Sequence, residues 1–290
     1  MNFLDALTGS FAQPALENPT GVMMEAAFKD LNLPWRYINC EVAPEQLANA
    51  VAGAQAMGWR GFNCSIPHKE SVIPLLDRLA PSAEITQAVN TVRIEGGELI
   101  GENTDGRGFV ESVRPFVSLN DAKVVMFGAG GAAKAVAVEL ALAGVAEIVL
   151  VNRNYARAQT LAAIVNEHTP ATATALPWEG LFEVPADTHL VINTTSVGLY
   201  PNCDAQLPID FTRLLPHMCV ADGIFNPPQT HLLRTAEAQG CTTVSGLGML
   251  VEQGAIAFEY WTGQQPNRAV MKQALAKALN IRTIGPKQAP

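Results

Sequence analysis

Lys69 stands in the run Asn63-Cys64-Ser65-Ile66-Pro67-His68-Lys69-Glu70. Pro67 reads as the first residue of a helix that follows a short strand. A lysine in the first turn of that helix opposes a macrodipole that favours anions. Residues at odds with their local setting mark functional sites more often than consistent ones do. A lysine held there can exchange protons near neutral pH. The plain alternative is a solvated surface lysine compensated by Glu70 or His68. Asp105, in Asn103-Thr104-Asp105-Gly106, also has two readings: an N-cap for the helical stretch after it, or a carboxylate at a domain junction that binds a substrate hydroxyl. Asn90-Thr91 is either a turn or an amide aimed at a ligand.

A second group sits in Gly128-Ala129-Gly130-Gly131-Ala132-Ala133. Gly128 suits a tight turn, Gly130 a close backbone approach to a pyrophosphate, and Ala133 close packing of helix on strand. The helix N-terminus offers N–H groups and partial positive charge to phosphates. A lone glycine pattern of this kind is also ordinary turn punctuation. Here it follows a strand, opens a helix and is closed by another strand, which points to dinucleotide binding. At the end of that next strand an NAD-specific unit places Asp or Glu on the ribose. This chain instead has Asn152, Arg153 and Asn154, with Arg157 four residues beyond Arg153. Two guanidinium groups suit a 2′-phosphate, so NADP is expected and NAD is possible. Two solvated arginines are the bland reading.

Thr194, Thr195, Ser196 and Val197 follow another strand, where small hydroxyl residues line the crevice of such sheets; a simple loop start is the alternative. Gly223 and Gly246 join the expected cofactor side. Met249 is read as core packing or as flexible sulfur beside a flat nicotinamide.

These residues need elements to hold them. Apolar patterning predicts strands at 6–9, 35–42, 61–66, 123–127, 147–151, 188–194 and near 218–222. Helices are predicted at 21–31, 44–57, 67–79, 107–117, 132–143, 246–261 and 268–279. The stretches 92–94 and 98–100 flank Glu95-Gly96-Gly97 as a hairpin. Loops are expected at 12–20 and 198–208, and disorder at 282–290. Alternating strands and helices give an α/β protein with mainly parallel sheets. Two domains are expected to face each other across a cleft: 1–106 with 246–290 for substrate, and 107–245 as a Rossmann-type nucleotide unit.

The chain has 290 residues, 48% apolar and 16% charged, with a formal net charge of −8. That balance argues against nucleic acid or an anionic membrane as partner. Cys40, Cys64, Cys203, Cys219 and Cys241 are scattered, without a C-x-x-C pair, which suits reduced thiols rather than disulfides or a metal site. No signal peptide or spanning segment is read. A cytoplasmic monomer or homodimer acting on a small molecule, with no metal, is the expectation.

Together these runs resemble the shikimate dehydrogenase family, which includes shikimate/quinate dehydrogenases. The likeness is carried, in family order, by Asn63 through Glu70, Ala88-Val89-Asn90-Thr91, Asn103 through Gly106, the Gly128 turn, Asn152-Arg153, Asn193 through Gly198 and Gly246 through Gln253. The resemblance implies two α/β domains that interconvert a hydroxyl and a ketone on a cyclic polyol carboxylate with NAD(P). An unreactive, nucleotide-responsive binding protein is the other reading. Lys69 matches the family's catalytic lysine and Asp105 its partner. A lysine beside a carboxylate can relay the carbinol proton as hydride leaves the carbon. Ser65, Asn90 and Gln253 match positions that hold ring hydroxyls. Asn154 stands where NADP members usually have Thr. Typical members carry a serine pair before a Pro in the first loop, binding the substrate carboxylate; here that loop is Gly9-Ser10-Phe11-Ala12-Gln13-Pro14-Ala15-Leu16-Glu17-Asn18-Pro19-Thr20. The pair is missing, Glu17 would repel a carboxylate, and Phe225 stands where a Tyr is usual. Either Ser10, Gln13, Asn18 or Thr20 replaces the donors, or the substrate differs at that end.

Overall fold

The structure, a computed structural model, describes residues 3–16 and 18–279. It divides into two compact units: Met1–Ala83, Gln87–Thr104 and Gly254–Pro290 form the first, Glu84–Thr86 and Asp105–Gln253 the second. Glu17 and the tail at 282–290, both singled out in the sequence, lie outside the described residues.

In chain order the first part runs β1 (Ala6–Ala12), α1 (Thr20–Asp30), β2 (Trp35–Glu41), a 3-10 turn into α2 (Leu47–Ala56), β3 (Gly61–Cys64) and α3 (His68–Ser71). After these come β4 (Arg78–Leu79), α4 (Pro81–Thr86), β5 (Thr91–Glu95) and β6 (Glu98–Glu102). The strands form one sheet in the order β2-β1-β3-β5-β6-β4. β1 runs parallel to β2 and β3, and β4 to β6, while β5 is antiparallel to both its neighbours. The hairpin turns on Gly96 and Gly97, both at positive φ, as a two-residue connection demands. β1 runs past its expected end because Ser10–Ala12 find partners in β2 and Phe11 in β3. Phe11 stacks on Phe62 at 4.6 Å between ring centroids and anchors the core.

One expected helix is not there. Residues 67–79 break into α3, a 3-10 turn at Ile73–Leu75 and β4. Pro67 precedes the helix instead of opening it, and Pro74 has no N–H to continue it. Lys69 therefore rides on a single helical turn.

α5 (Thr104–Val113) starts and ends earlier than the expected 107–117. The second unit continues with β7 (Lys123–Phe127), α6 (Gly131–Leu142), β8 (Glu147–Asn152), α7 (Tyr155–His168), β9 (Thr172–Pro177) and β10 (Leu190–Asn193). Then come β11 (Cys219–Asp222), α8 (His231–Ala238) and β12 (Thr242–Val244). All its strands are parallel, in the order β12-β11-β10-β7-β8-β9. That is the doubly wound order of dinucleotide-binding sheets, with its switch point between β7 and β10. Alternation along β7 serves both faces. Val124 and Met126 join one core with α6 and α7, while Val125 and Phe127 join the other with α8. α9 (Gly246–Thr262) and α10 (Arg268–Ala278) end the described chain. Phe258 of α9 stacks on Phe28 of α1 at 5.0 Å, and α10 lies along α1.

Candidate active site

Around Lys69 the first unit is held by hydrogen bonds between segments distant in sequence. The Val89 N–H donates to the Lys69 carbonyl at 2.8 Å, and the His68 N–H to the Ser65 carbonyl at 2.7 Å. His68 is wholly buried, and its Nε2 donates to the Val42 carbonyl at 2.8 Å. His68 is thus an anchor that plugs the short helix into the core. Lys69 and Ser65 beside it remain half-buried. Burial pushes the thiol of Cys64 up to about 12, so it has no role as a nucleophile near neutral pH.

Asn90 is buried, and it acts as a clamp. Its Oδ1 accepts the Thr104 N–H at 2.7 Å and its Nδ2 donates to the Thr104 hydroxyl at 2.9 Å. Its carbonyl accepts the Cys64 N–H at 2.9 Å and the Asn63 amide at 3.1 Å. The end of β3 is thereby tied to the first residue of α5. Asp105 follows immediately, in the helix's first turn, where an acid complements the dipole. The network reaches further than the motifs suggest. The Tyr37 hydroxyl donates to Asn63 Oδ1 at 2.7 Å, Asn63 Nδ2 donates to Thr91 Oγ1 at 2.9 Å, and the Thr91 and Thr104 hydroxyls are 3.1 Å apart. Burial drives the Tyr37 phenol far above its usual range, so it stays a donor.

Ser10, which the structure places in β1 and not in a loop, is wholly buried and its hydroxyl is already used. It donates to Asn39 Oδ1 at 2.9 Å and accepts from Asn18 Nδ2 at 3.1 Å. Asn39 Nδ2 returns to the Asn18 carbonyl at 2.9 Å, and Asn18 Oδ1 caps the N–H of Thr20 at 3.0 Å. Thr20, the first residue of α1, is buried too. The backbone N–H of Gln13, not its side chain, donates to the Ile66 carbonyl at 2.9 Å. The roles of Tyr37, Asn39 and Thr104 were not read from sequence. Tyr37 and Asn39 lie on the mostly exposed β2 and Thr104 opens α5, so no local pattern marked them.

On the second unit the glycine turn lies at the switch point. Gly128 has φ +111°, and a Cβ there would stand 2.5 Å from Thr194 Oγ1. Thr194 closes the turn by donating both its N–H (2.8 Å) and its hydroxyl (2.7 Å) to the Phe127 carbonyl. Gly130 is the N-cap of α6 without a side-chain cap, and added Cβ atoms at Gly130 or Gly131 would meet nothing. Ala129 and Ala132 share this turn, with Ala132 exposed, and buried Ala133 packs the helix on the sheet. Open N–H groups at a helix start fit a pyrophosphate. At the next corner Asn152 Nδ2 donates to the Asn154 carbonyl at 2.8 Å, and Asn154 caps α7 by accepting the Arg157 N–H at 3.2 Å. Arg153 and Arg157 are exposed, and neither guanidinium has a partner among the described residues. That corner can take a phosphate ester.

Thr195 and Val197 are folded back on Asn193, and Ser196 is exposed. Gly223 donates its N–H to the Asn193 carbonyl at 2.8 Å, and Gly246 leaves no room for a Cβ beside the Gly223 carbonyl. Met249 packs partly against the α6 core. Gln253 is buried, its Nε2 donating to the Leu250 carbonyl at 3.0 Å. Among the described residues no cluster of His, Cys, Asp or Glu could hold a metal, and no helix is long and apolar enough to cross a membrane.

Sheet order and open glycine turn define the second unit as a dinucleotide-type α/β fold. The sequence pattern of the shikimate dehydrogenase substrate binding domain is matched by residues 11–92, that of shikimate/quinate 5-dehydrogenase by 111–200, and that of the shikimate 5′-dehydrogenase C-terminal domain by 246–276. The shikimate dehydrogenase (NADP(+)) of Methanopyrus kandleri is 41% identical over 277 residues, 94% of this chain and 96% of its own. The ligand-free 5-ketofructose reductase of Gluconobacter sp. strain CHM43 superposes with a TM-score of 0.93 at 50% identity, over 96% of this chain and 100% of that one. Shikimate 5-dehydrogenase from Listeria monocytogenes, solved with shikimate and NAD, gives 0.89 at 34% identity, over 95% and 98%. The chain belongs to the shikimate/quinate dehydrogenase family.

Proposed function

We propose that this protein is an NADP-dependent oxidoreductase that interconverts a ring hydroxyl and a ketone on a shikimate- or quinate-like polyol carboxylate, in a reaction of the shikimate to 3-dehydroshikimate type. The observation that carries this reading is the open Gly128–Ala132 turn at the β7/β10 switch point, followed at the next corner by two unpartnered arginines. Family membership and the NADP(+) in the name of the Methanopyrus relative support it.

In this reading residues 1–106 with 246–290 take the ring and 107–245 take the cofactor. When bound, the cofactor supplies or accepts the hydride. Lys69 holds the proton of the carbinol oxygen, and Asp105 orients lysine and hydroxyl. Ser65, Asn90 and Gln253 hold ring hydroxyls. Gly128 to Ala132 cradle the pyrophosphate, Asn152 to Asn154 with Arg157 take the 2′-phosphate, and Thr194 to Val197 with Gly223, Gly246 and Met249 line the nicotinamide side. A cytoplasmic setting, as monomer or homodimer, suits the unpaired thiols.

A second substrate is favoured by the polar residues of β1, β2 and the loop after β1. Ser10, Asn18 and Asn39 close on one another as uncharged partners and include no cation. An anion left without donors is costly, whereas amides and hydroxyls suit a neutral sugar hydroxyl. The 50% identical relative is named a 5-ketofructose reductase, and that ketose has no carboxylate. A neutral ketose reduced by the same residues is the second reading. The test is a turnover assay with both nicotinamide cofactors, offering shikimate, quinate, their ketones and 5-ketofructose, with Lys69→Ala as control. Lysine-dependent turnover of a ring carboxylate carries the first reading and of the ketose the second. Cofactor binding with no turnover of either would leave only a nucleotide-binding protein.

A further inference from the structure

Asp222 ends β11 with a carboxylate that is 1% exposed and has no cation paired with it among the described residues. Its partners come from three segments. Oδ1 accepts the Asn193 amide at the end of β10 and the Ile224 N–H in the loop after β11, both at 3.0 Å. Oδ2 accepts the hydroxyl of Thr230, the N-cap of α8, at 2.7 Å. Asn193 passes the constraint on. Its Oδ1 accepts the N–H and the hydroxyl of Thr195 at 2.9 and 2.7 Å, and its carbonyl accepts the Gly223 N–H at 2.8 Å. The Gly246 N–H closes on the Ile224 carbonyl at 3.1 Å.

Placing a charge in such a site costs more than placing a neutral amide there. What the charge adds is direction. A carboxylate accepts from all three donors at once, and its bonds are charge-assisted. The Thr230 hydroxyl, which receives the Leu233 N–H at 3.4 Å, must give its own hydrogen to Asp222. In a doubly wound sheet each half takes one mononucleotide. The arginine corner lies on the first half, at the end of β8, so the nicotinamide mononucleotide falls to the half built on β10 to β12.

We infer that Asp222 is the positioning residue that fixes the loops after β10 and β11 in the shape that receives the nicotinamide half of the dinucleotide. This rests on the reading of the second unit as an NADP site. The carboxylate is also proton-sensitive: burial raises Asp222 to about 6 against the pull of its hydrogen bonds. The titratable or charged side chains nearest in sequence to its partners are His231 and Arg234 on α8 and His189 ahead of β10; β10 and β12 themselves bring none. Protonation reverses the bond to Thr230 and weakens the two on Oδ1.

The test measures NADP+ and adenosine 2′,5′-bisphosphate dissociation constants by calorimetry on the full chain, at about pH 7.5 and about pH 5.5 to span the carboxylate. Asp222→Asn is expected to weaken NADP+ roughly tenfold at the higher pH. The bisphosphate, which fills only the first half, should bind as to the wild type. The wild type should lose more NADP+ affinity on acidification than Asp222→Asn does, since the ligand's own phosphate titrates alike with both proteins. Thr230→Ser should behave as wild type and Thr230→Val should fall between; this pair carries the comparison if Asp222→Asn does not fold. Unchanged NADP+ binding in Asp222→Asn, or equal loss of both ligands, overturns the inference alone. A wild type that binds neither ligand overturns the NADP reading, and this inference with it.

Discussion

Lys69 sits on one helical turn whose fixed point is its neighbour His68, sealed against the Val42 carbonyl. A side chain so mounted can change without unfolding the unit. Lys69→Ala is therefore expected to lower kcat by about 10²- to 10⁴-fold, the usual worth of a positioned acid–base group, while the melting temperature and NADP+ affinity stay put. Stopped-flow or steady-state rates beside a thermal melt check this. Asp222 gives a stability signature with a definite sign. Its folded value of about 6 lies above the ordinary 3.8, so the folded chain holds that proton more tightly than the unfolded chain does. Its contribution is most favourable below about pH 4, falls as pH rises to about 6, and is then level, a change of about 3 kcal/mol at most. Urea unfolding of wild type and Asp222→Asn at several pH values isolates it, because other carboxylates cancel between the two. The motifs around these residues were legible in the sequence; their hydrogen-bond partners were not. Tyr37 and Asn63 are 26 residues apart, and Asn193 and Asp222 are 29 apart, and no local pattern links such pairs.

At the scale of elements, β7, α6 and β8 could be read almost to the residue, because a buried parallel strand is a continuous apolar run and the helix is rich in alanine. α7, β9, α8 and β12 were not read. β9 is Thr-Ala-Thr-Ala-Leu-Pro and mostly exposed, so its place comes from pairing with β8 and not from its own hydrophobicity. The turn between β7 and α6 has no slack. Gly128→Val is expected to destabilise the protein by about 1–3 kcal/mol, from positive φ and from collision with Thr194, and to weaken NADP+ binding in calorimetry. The corner after β8 is looser, since both arginines are exposed and unpartnered. Arg153→Ala with Arg157→Ala should raise the KM for NADP+ at least about tenfold and leave that for NAD+ within about twofold, the loss of charge-assisted phosphate bonds. Equal loss for both cofactors would sink the assignment of that corner.

For the molecule as a whole, the thiols report burial. Cys64, Cys219 and Cys241 are buried, and the first two are pushed up to about 12; Cys40 and Cys203 are partly exposed. A chromogenic disulfide reagent should label Cys203 first and Cys40 more slowly, since burial raises the Cys40 thiol too. The other three should react only in denaturant.

The division of the chain also sets a timetable for its synthesis. The first unit takes its strands from the start of the chain and its closing helices from the end, beyond Gly254. Until α9 emerges, Phe28 lacks the Phe258 ring that covers it, and Gly61 and Val92 lack the indole of Trp261. The second unit is nearly continuous, and its sheet is complete once β12 has been made. On a ribosome adding about 5–20 residues per second, the later unit has all its strands while the earlier one still waits for its lid. The unit that lies earlier in the chain is thus among the last to become protease-resistant, and ribosome-bound chains that expose β12 but not the part of α9 beyond Gly254 should be cut within residues 3–104 and not within the second sheet.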